Sequence, residues 1–527
     1  MNMRRVTNLL LLVALTVVAG VTDTRRPNVL VIQPDDLPHY DAWNRPPNSR
    51  FYPDFEVPFP GYGLPNLERL RNGGVELTQA YTTSAMCGTS RWSTITGRYP
   101  SRARSNAGKR YNSVIIPRTK LEDADCKSDN IAVQFRDNGG YRTSMFGKWH
   151  LSSVDYANYT YDYAKSLVNE CGFEHVSGLY PENLGHEFND GSFSHNMEWV
   201  TAEAVEEIRR GSEDSDPWFM YFNPTVPHSG DSVARALSEF SCRDTPSGRL
   251  ETEPVVPGLT DNNRTCAEYR ETIWERAMNE PTDDDLGAIW LDDAIGSLLQ
   301  VLEETGQLED TIILFFEDHG MEPKASLYEG GVRVPMFISY GTNITSGSTL
   351  DVPVSTIDIG PTLLDFAGIL PTYPMDGRSL GPALTSATTN VDLSSLRGRC
   401  IFFELGTDRA VRCGCHKYLE VNSFKKTWMA GNDYGLANDP ENLFNLCVYD
   451  TSRYSPDIFS EANSISNEQK SYQLRKMMEC HLDQVESQDF GTEYDCQLNE
   501  LPNSASQPRP AAWLIASLLV SKRSLQG

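Results

Sequence analysis

Four apolar runs constrain the fold of this chain more than any other feature. They span residues 28–33, 141–146, 218–222 and 311–316, of which 141–146 reads as a strand although it contains Arg, Thr and Ser. Continuous apolar runs of this length are typical of parallel strands buried on both faces. Residues 283–305, between the third and fourth runs, have the apolar spacing of a helix. We therefore expect an α/β fold with a large, mostly parallel sheet flanked by helices.

Charged or ligand-type side chains follow the end of each run. They are Asp35 and Asp36, then Lys148 and His150, then His228, and finally Asp318 and His319. The carboxyl ends of parallel strands lie at one edge of a sheet, so these groups should converge on one pocket. Adjacent carboxylates there predict a cation site. The alternative is that each acidic pair forms a turn or caps a helix.

The segment 86–98, Met-Cys-Gly-Thr-Ser-Arg-Trp-Ser-Thr-Ile-Thr-Gly-Arg, carries a potential nucleophile. Its residues 90–96 predict a short helix, and Gly97 suits a left-handed cap. Cys87 would lie at the helix entrance, where backbone N–H groups favour an anion or a thiolate. Arg91, four residues on, shares its face. This pattern suits attack on a negatively charged ester; the alternative is a buried cysteine beside an exposed arginine.

The same segment resembles the sulfatase signature, Cys-x-Pro-x-Arg or Cys-x-Ala-x-Arg followed by Thr-Gly-Arg. Here Thr89 stands where the family has Pro or Ala. The resemblance implies that a formylglycine-generating enzyme oxidises Cys87 to formylglycine, whose hydrate is the nucleophile. It extends over nearly all of residues 27–450 and implies the alkaline phosphatase-like superfamily fold.

Later motifs extend the resemblance. Gly147-Lys148-Trp149-His150-Leu151 and the Glu-Gly-Gly-Val-Arg-Val-Pro segment at 329–335 are similar to family elements. The implied ligands of one divalent cation are Asp35, Asp36, Cys87, Asp318 and His319. Oxygen-rich ligation favours calcium, although the histidine leaves magnesium or another metal open. The implied catalytic residues are Cys87, Arg91, Lys148 and Lys324 around the sulfate, His150 at the nucleophile and His228 near the leaving-group oxygen.

Charge limits the class of partner. The chain has 46 Lys and Arg against 72 Asp and Glu, a net charge of −26, which argues against nucleic-acid binding. Eight cations nevertheless lie between Arg91 and Lys120. They predict a basic surface for a sulfated polymer, and the alternative is a solvated loop.

Several features predict entry into the secretory pathway. Residues 1–20 read as a signal peptide, whose apolar run is too short to span a bilayer. Three sequons begin at Asn158, Asn263 and Asn343. Of eleven cysteines, ten remain for up to five disulfides once Cys87 is set aside. We expect an extracellular or a lysosome- or vacuole-like location, without a membrane span.

The chain thus divides into a signal peptide at 1–20, a catalytic domain at 27–390, a C-terminal subdomain at 399–500 and a tail at 501–527. The subdomain should hold a small antiparallel sheet, with two strands within 399–421, and a helix at 467–483. The predicted protein is a secreted sulfatase of sulfated carbohydrates. Two alternatives stay open: a phosphate or phosphonate ester hydrolase of the same superfold, and a catalytically impaired protein that binds sulfated glycans while Cys87 stays a thiol.

Overall fold

The computed structural model describes twelve segments of the 527-residue chain. They are residues 26–37, 63–104, 119–153, 159–184, 194–228, 232–261, 263–277, 280–321, 324–385, 393–421, 441–446 and 467–486. The predicted signal peptide and tail lie outside these residues, as does the sequon at Asn158.

The strands are β1 (Asn28–Ile32), β2 (Val75–Leu77), β3 (Ala80–Tyr81), β4 (Arg142–Lys148), β5 (His175–Tyr180), β6 (Trp218–Asn223), β7 (Asp244–Thr245), β8 (Gly248–Arg249), β9 (Thr311–Phe316), β10 (Met336–Ser339), β11 (Ser348–Leu350), β12 (Val354–Ser355), β13 (Cys400–Leu405), β14 (Asp408–Cys413), β15 (His416–Glu420) and β16 (Glu441–Asn445). The α-helices are α1 (Pro65–Gly73), α2 (Cys87–Thr96), α3 (Asp123–Lys127), α4 (Ile131–Val133), α5 (Tyr161–Glu170), α6 (Met197–Glu213), α7 (Val233–Leu237), α8 (Cys266–Arg276), α9 (Asp283–Glu304), α10 (Glu329–Val332), α11 (Ile359–Phe366), α12 (Gly381–Leu384), α13 (Ser394–Arg397) and α14 (Glu468–Glu486).

The main sheet has eight strands in the order β11-β2-β10-β9-β1-β6-β4-β5. The four predicted strands are β9, β1, β6 and β4, and they are neighbours at its centre. They pair in parallel with one another, whereas β10 runs antiparallel to both of its neighbours. The predicted large, mostly parallel sheet is therefore confirmed.

Two apolar layers cover the faces of this sheet. Along β1, successive side chains point to opposite faces. Val29 and Val31 pack in the layer that contains Trp92 of α2, while Leu30 and Ile32 pack with residues of α6 and α9. Helices on both faces explain why the central strands read as continuous apolar runs.

A second, antiparallel sheet of four strands, in the order β13-β14-β15-β16, packs against α14. It confirms the predicted small C-terminal sheet. Residues 399–421 hold three strands, however, and the prediction of two is wrong. Two-residue turns that begin at Gly406 and Gly414, both at φ +56°, use so few residues that a third strand fits into this segment.

The described cysteines, with one exception, are in disulfides. Three bridges join Cys126 to Cys171, Cys242 to Cys266 and Cys400 to Cys413, and Cys415 and Cys480 are also disulfide-bonded. Cys87 is free and buried. A free Cys87, with the other described cysteines in disulfides, agrees with the prediction from the cysteine count. Within the described residues, every helix is too short or too polar to cross a bilayer.

Candidate active site

The carboxyl ends of the four central strands bring the predicted residues together. Register places Ile32 of β1 beside Phe222 of β6 and Phe315 of β9, so the segments that follow leave the sheet at one level. Beyond them, His319 Nε2 lies 3.3 Å and His228 Nε2 3.7 Å from the carboxylate of Asp36. The sequence-based prediction of convergence is correct.

Helix α2 presents Cys87 to this pocket. It begins at Cys87, three residues earlier than predicted, and ends at Thr96, where Gly97 at φ +66° forms the left-handed cap. The Cys87 Sγ lies 3.1 Å from His319 Nε2. Burial raises the pKa of the thiol well above its usual range, although Lys148 and Lys324 lie nearby. Desolvation thus outweighs the helix terminus and the two lysines and favours the neutral thiol.

Arg91 lies beneath the pocket carboxylates and is fully buried. Its Nε is 3.2 Å from Asp318 Oδ2, and its Nη2 donates to the carbonyl of Pro34 at 3.0 Å. Nη2 is also 3.6 Å from Asp35 Oδ1. In this arrangement the guanidinium holds carboxylates.

The two pocket lysines also pair with carboxylates. Lys148 donates to Asp35 Oδ2, and the Nζ of Lys324 lies 2.7 and 2.6 Å from the two oxygens of Asp36. Burial alone would raise the pKa of both carboxyls, yet the neighbouring ammonium groups hold these pKa values below their usual range. Three carboxylates, counting Asp318, thus face three cationic side chains, counting Arg91.

The donor set fits a divalent cation. Asp35 Oδ1 and Asp318 Oδ1 are buried and accept no hydrogen bond from any of the residues that the structure describes. His319 Nδ1 is 3.0 Å from the Gly320 carbonyl, which can only accept, so Nδ1 carries the proton and the Nε2 lone pair faces Cys87 and Asp36. A metal-ligating histidine normally has this second contact. The donor atoms of Asp35, Asp36 and Cys87 also lie within 4.8 Å of one another.

His150 and His228 stand at the same pocket. Burial and the ammonium of Lys148 lower the pKa of His150 well below its ordinary value. Burial also lowers the pKa of His228, against the pull of Asp35. Burial thus disfavours the protonated form of both imidazoles, and a neutral imidazole has one nitrogen that can accept a proton.

Three buried polar residues at the site were not found from the sequence. Glu182 follows β5, lies 3.3 Å from His150 and forms an ion pair with Lys120 at 2.7 Å. Glu317 precedes Asp318, and burial raises its pKa well above the usual range. His195 contacts the His228 carbonyl at 3.2 Å. Of these, only Glu317 adjoins a predicted site residue in sequence.

The prediction that eight cations form a basic surface is wrong for four of them. Arg91, Arg98, Arg102 and Lys120 have ion-pair partners and lie inside the protein or nearly so. In an acidic chain these cations neutralise internal carboxylates. Arg104 is exposed. Lys109, Arg110 and Arg118 lie outside the described residues.

Two family models match the chain. The one described as Sulfatase matches residues 27–369, and the one described as N-sulphoglucosamine sulphohydrolase, C-terminal, matches residues 317–471. The choline-sulfatase of Rhizobium meliloti (strain 1021) is 25% identical over 379 residues, 66% of this chain and 68% of that protein. Arylsulfatase A of Homo sapiens is 26% identical over 487 residues, 82% of this chain and 85% of that protein.

Solved structures share the fold. One, a complex with its substrate D-glucosamine-2-N,6-O-disulfate, has a TM-score of 0.54 at 17% identity and covers 88% of this chain and 99% of its own. A phosphonate monoester hydrolase from Silicibacter pomeroyi has a TM-score of 0.54 at 19% identity, covering 89% and 96%. At these identities the likeness concerns the fold alone. Because the Sulfatase model matches well over half of the sequence, the chain belongs to the sulfatase family of sulfuric ester hydrolases.

Proposed function

We propose that this protein is a secreted sulfatase that hydrolyses sulfate esters of carbohydrates with a formylglycine at position 87 and one divalent cation. The observation that carries the proposal is the position of Cys87. It lies at the first residue of a helix, 3.1 Å from His319 and within 4.8 Å of the donor atoms of Asp35 and Asp36. A nucleophile beside a cation site suits attack on an anionic ester.

The cation ligands in this proposal are Asp35, Asp36, Asp318, His319 and residue 87. The oxygen-rich set favours calcium over softer metals. A bound cation would neutralise charge on the ester and on the attacking oxygen. Arg91 keeps Asp35 and Asp318 in place through its contacts with both.

The remaining residues act on the substrate. Lys148 and Lys324 bring two ammonium groups to the pocket, where they bind sulfate oxygens as charge develops on them. Formylglycine hydrate supplies one hydroxyl that attacks sulfur and a second that expels sulfate. We assign His150 to the hydroxyls of residue 87 and His228 to the proton of the leaving alcohol.

The first test is peptide mass spectrometry of residue 87 together with activity on 4-nitrophenyl sulfate. We expect formylglycine at position 87 in active protein, and no turnover in C87A or C87S, because neither side chain provides two hydroxyls. Active protein that carries only unmodified cysteine would contradict the formylglycine assignment.

Metal removal is the second test. Without a cation the buried carboxylates lose a partner, so a chelator should lower both activity and Tm, and D318N should lower the bound metal measured by mass spectrometry. Calcium is expected to restore both properties best. Unchanged metal content and full activity in D35N/D318N would contradict the site.

Two structural features support a secretory route. The disulfides named above suit an oxidising compartment. The sequon residues Asn263 and Asn343 are exposed, as glycan acceptors must be. We propose maturation by a formylglycine-generating enzyme in that route, followed by an extracellular or a lysosome- or vacuole-like location.

The substrate class rests on similarity. A carbohydrate is the substrate in the disulfated glucosamine complex, and the C-terminal family model is named after a sulphoglucosamine sulphohydrolase. The shared fold of a phosphonate monoester hydrolase supports a second candidate, phosphonate or phosphate esters. 4-Nitrophenyl sulfate and 4-nitrophenyl phenylphosphonate, which share a leaving group, distinguish the two candidate functions. A higher kcat/KM for the phosphonate would favour the phosphonate or phosphate ester hydrolase. Binding of sulfated glycans without turnover of any ester would indicate the impaired protein.

A further inference from the structure

The main chain of His150 is held by two segments that belong to none of the recognised motifs. Its N–H donates to the carbonyl of Pro181 at 3.0 Å, and its carbonyl accepts from the Nζ of Lys120 at 3.0 Å. The residue has φ +59°, a left-handed conformation that is uncommon for residues other than glycine. These contacts supply that support.

Glu182 divides its carboxylate between Lys120 and His150. Oε1 lies 2.7 Å from Lys120 Nζ, and Oε2 lies 3.3 Å from His150 Nε2. The glutamate is only 5% exposed. A carboxylate in this ion pair accepts and does not donate, so it favours the imidazole tautomer with the proton on Nε2.

That tautomer leaves a lone pair on Nδ1 of His150. Nδ1 is buried and makes no hydrogen bond within the described residues. The ring carbon Cε1, which joins the two nitrogens, lies 3.9 Å from the Cβ position of Gly88, the residue after Cys87. The imidazole ring of His150 therefore lies close to the start of the nucleophile helix.

We propose that Glu182, anchored by Lys120, is a positioning residue that fixes the tautomer and orientation of His150. The Nδ1 lone pair is then kept ready to accept a proton from a hydroxyl of residue 87. This inference rests on the proposed function for the identity of that hydroxyl. It also gives Lys120 a place in the site, in contrast to the polymer-binding surface predicted from the sequence.

The competing account is that Glu182 only neutralises Lys120. Glu207 offers a matched control, because it is also buried, at 3% exposure, and pairs with Arg142 at 2.7 Å. Arg142 begins β4, so this pair lies at the end of the strand that is remote from His150. E182Q and E207Q make the same chemical change at the two ends of one strand.

With 4-nitrophenyl sulfate, E182Q should lower kcat about 10- to 100-fold and change KM by less than about twofold. E207Q should leave kcat within about twofold. The effect of E182Q should disappear in H150G, in which glycine accepts φ +59° without strain. An equal loss in the H150G background, or the same loss in E207Q, would assign Glu182 a structural role and overturn the proposal. Comparable Tm values for E182Q and E207Q establish that folding is not the cause.

A second measurement does not depend on activity. In protein labelled with 15N-histidine, long-range 1H–15N spectra report which ring nitrogen carries the proton, and H150G identifies the His150 signals. We expect the Nε2–H form in the wild type. The Nδ1–H form would overturn the proposal even if sulfate esters are hydrolysed. If no ester is hydrolysed, an Nε2–H signal supports the positioning by Glu182 while the proposed function fails.

Discussion

Thr89, the residue that departs from the family signature, has a structural role of its own. Its hydroxyl lies 3.0 Å from the hydroxyl of Thr119, and both side chains are buried. The contact ties α2 to the segment that carries Lys120. A buried hydroxyl pair accounts for a threonine at this position without any contact to the ester.

We expect T89A to lower the free energy of unfolding by about 1 kcal/mol, because it removes one buried hydrogen bond. Its kcat on 4-nitrophenyl sulfate should stay within about twofold, since alanine is a residue that the signature allows. Denaturant unfolding and steady-state kinetics measure the two effects. T89S, which keeps the hydroxyl, is the control. A tenfold fall in kcat with unmodified Cys87 in T89A would show instead that Thr89 takes part in maturation.

At the level of elements, the apolar runs were enough to predict the central strands and the convergence of their ends. Burial on both faces leaves a local signal in the sequence, which is why β1, β6 and β9 were found close to their true bounds. Short edge strands such as β2 and β11 leave little local signal.

Partners distant in the chain were the main omission at the site. Asp35, Asp36, Asp318 and His319 follow strands and were found from that position. Glu182 could not be paired with Lys120, because 62 residues separate them and a single sequence does not report such contacts. For the same reason the buried arginines were mistaken for a surface.

The close approach of β4 and β6 depends on Gly147. It has φ +89°, and a Cβ there would lie 1.9 Å from the carbonyl oxygen of Asn223. Because Lys148 follows directly, this approach sets where its ammonium meets Asp35. We expect G147A to lose more than about 3 kcal/mol of stability, from the strained φ and the backbone clash together.

Gly140 is the control for this prediction. It has φ +62°, and no atom of the described segments lies within 4 Å of its Cβ position, so G140A should cost only the conformational strain, about 1 kcal/mol. Urea unfolding of both variants measures the difference. Equal losses would mean that the strands move apart at Gly147 without penalty.

At the scale of the whole molecule, the C-terminal sheet supports both ends of the nucleophile helix. The backbone N–H of Glu404 in β13 donates to Thr83 before α2, and its carboxylate accepts from Ser101 N–H after it, at 2.9 and 2.7 Å. A second buried pair, Lys417 with Glu329 at 2.8 Å, joins the same sheet to α10. Glu404 thus contacts residues on both sides of α2 that precede it by more than 300 positions in the sequence.

These two carboxylates make the contact between the sheets sensitive to acid. Burial opposes ionisation of Glu404, but His481 at 2.7 Å lowers its pKa from 4.5 to about 2. The pKa of Glu329 is likewise lowered to about 2, because Lys417 outweighs the cost of burial. Each carboxylate therefore stabilises the fold above pH 4.5, and the stabilisation is lost as the pH falls towards 2.

The E404Q variant tests this dependence on pH. A pKa difference of this size corresponds to about 3 kcal/mol at pH 7, so E404Q should be less stable than the wild type by roughly that amount. The difference should shrink as the pH falls from 4.5 to 3, since the wild-type carboxyl then takes up its proton. Urea unfolding at pH 7, 5 and 3 measures it, with E206Q, in an exposed pair with Arg209, as a control that should change little. A difference that is the same at every pH would mean that Glu404 acts through packing and not through its charge. If the difference persists down to pH 4.5, the charged Glu404 keeps the C-terminal sheet in contact with both ends of the nucleophile helix from pH 7 to pH 4.5.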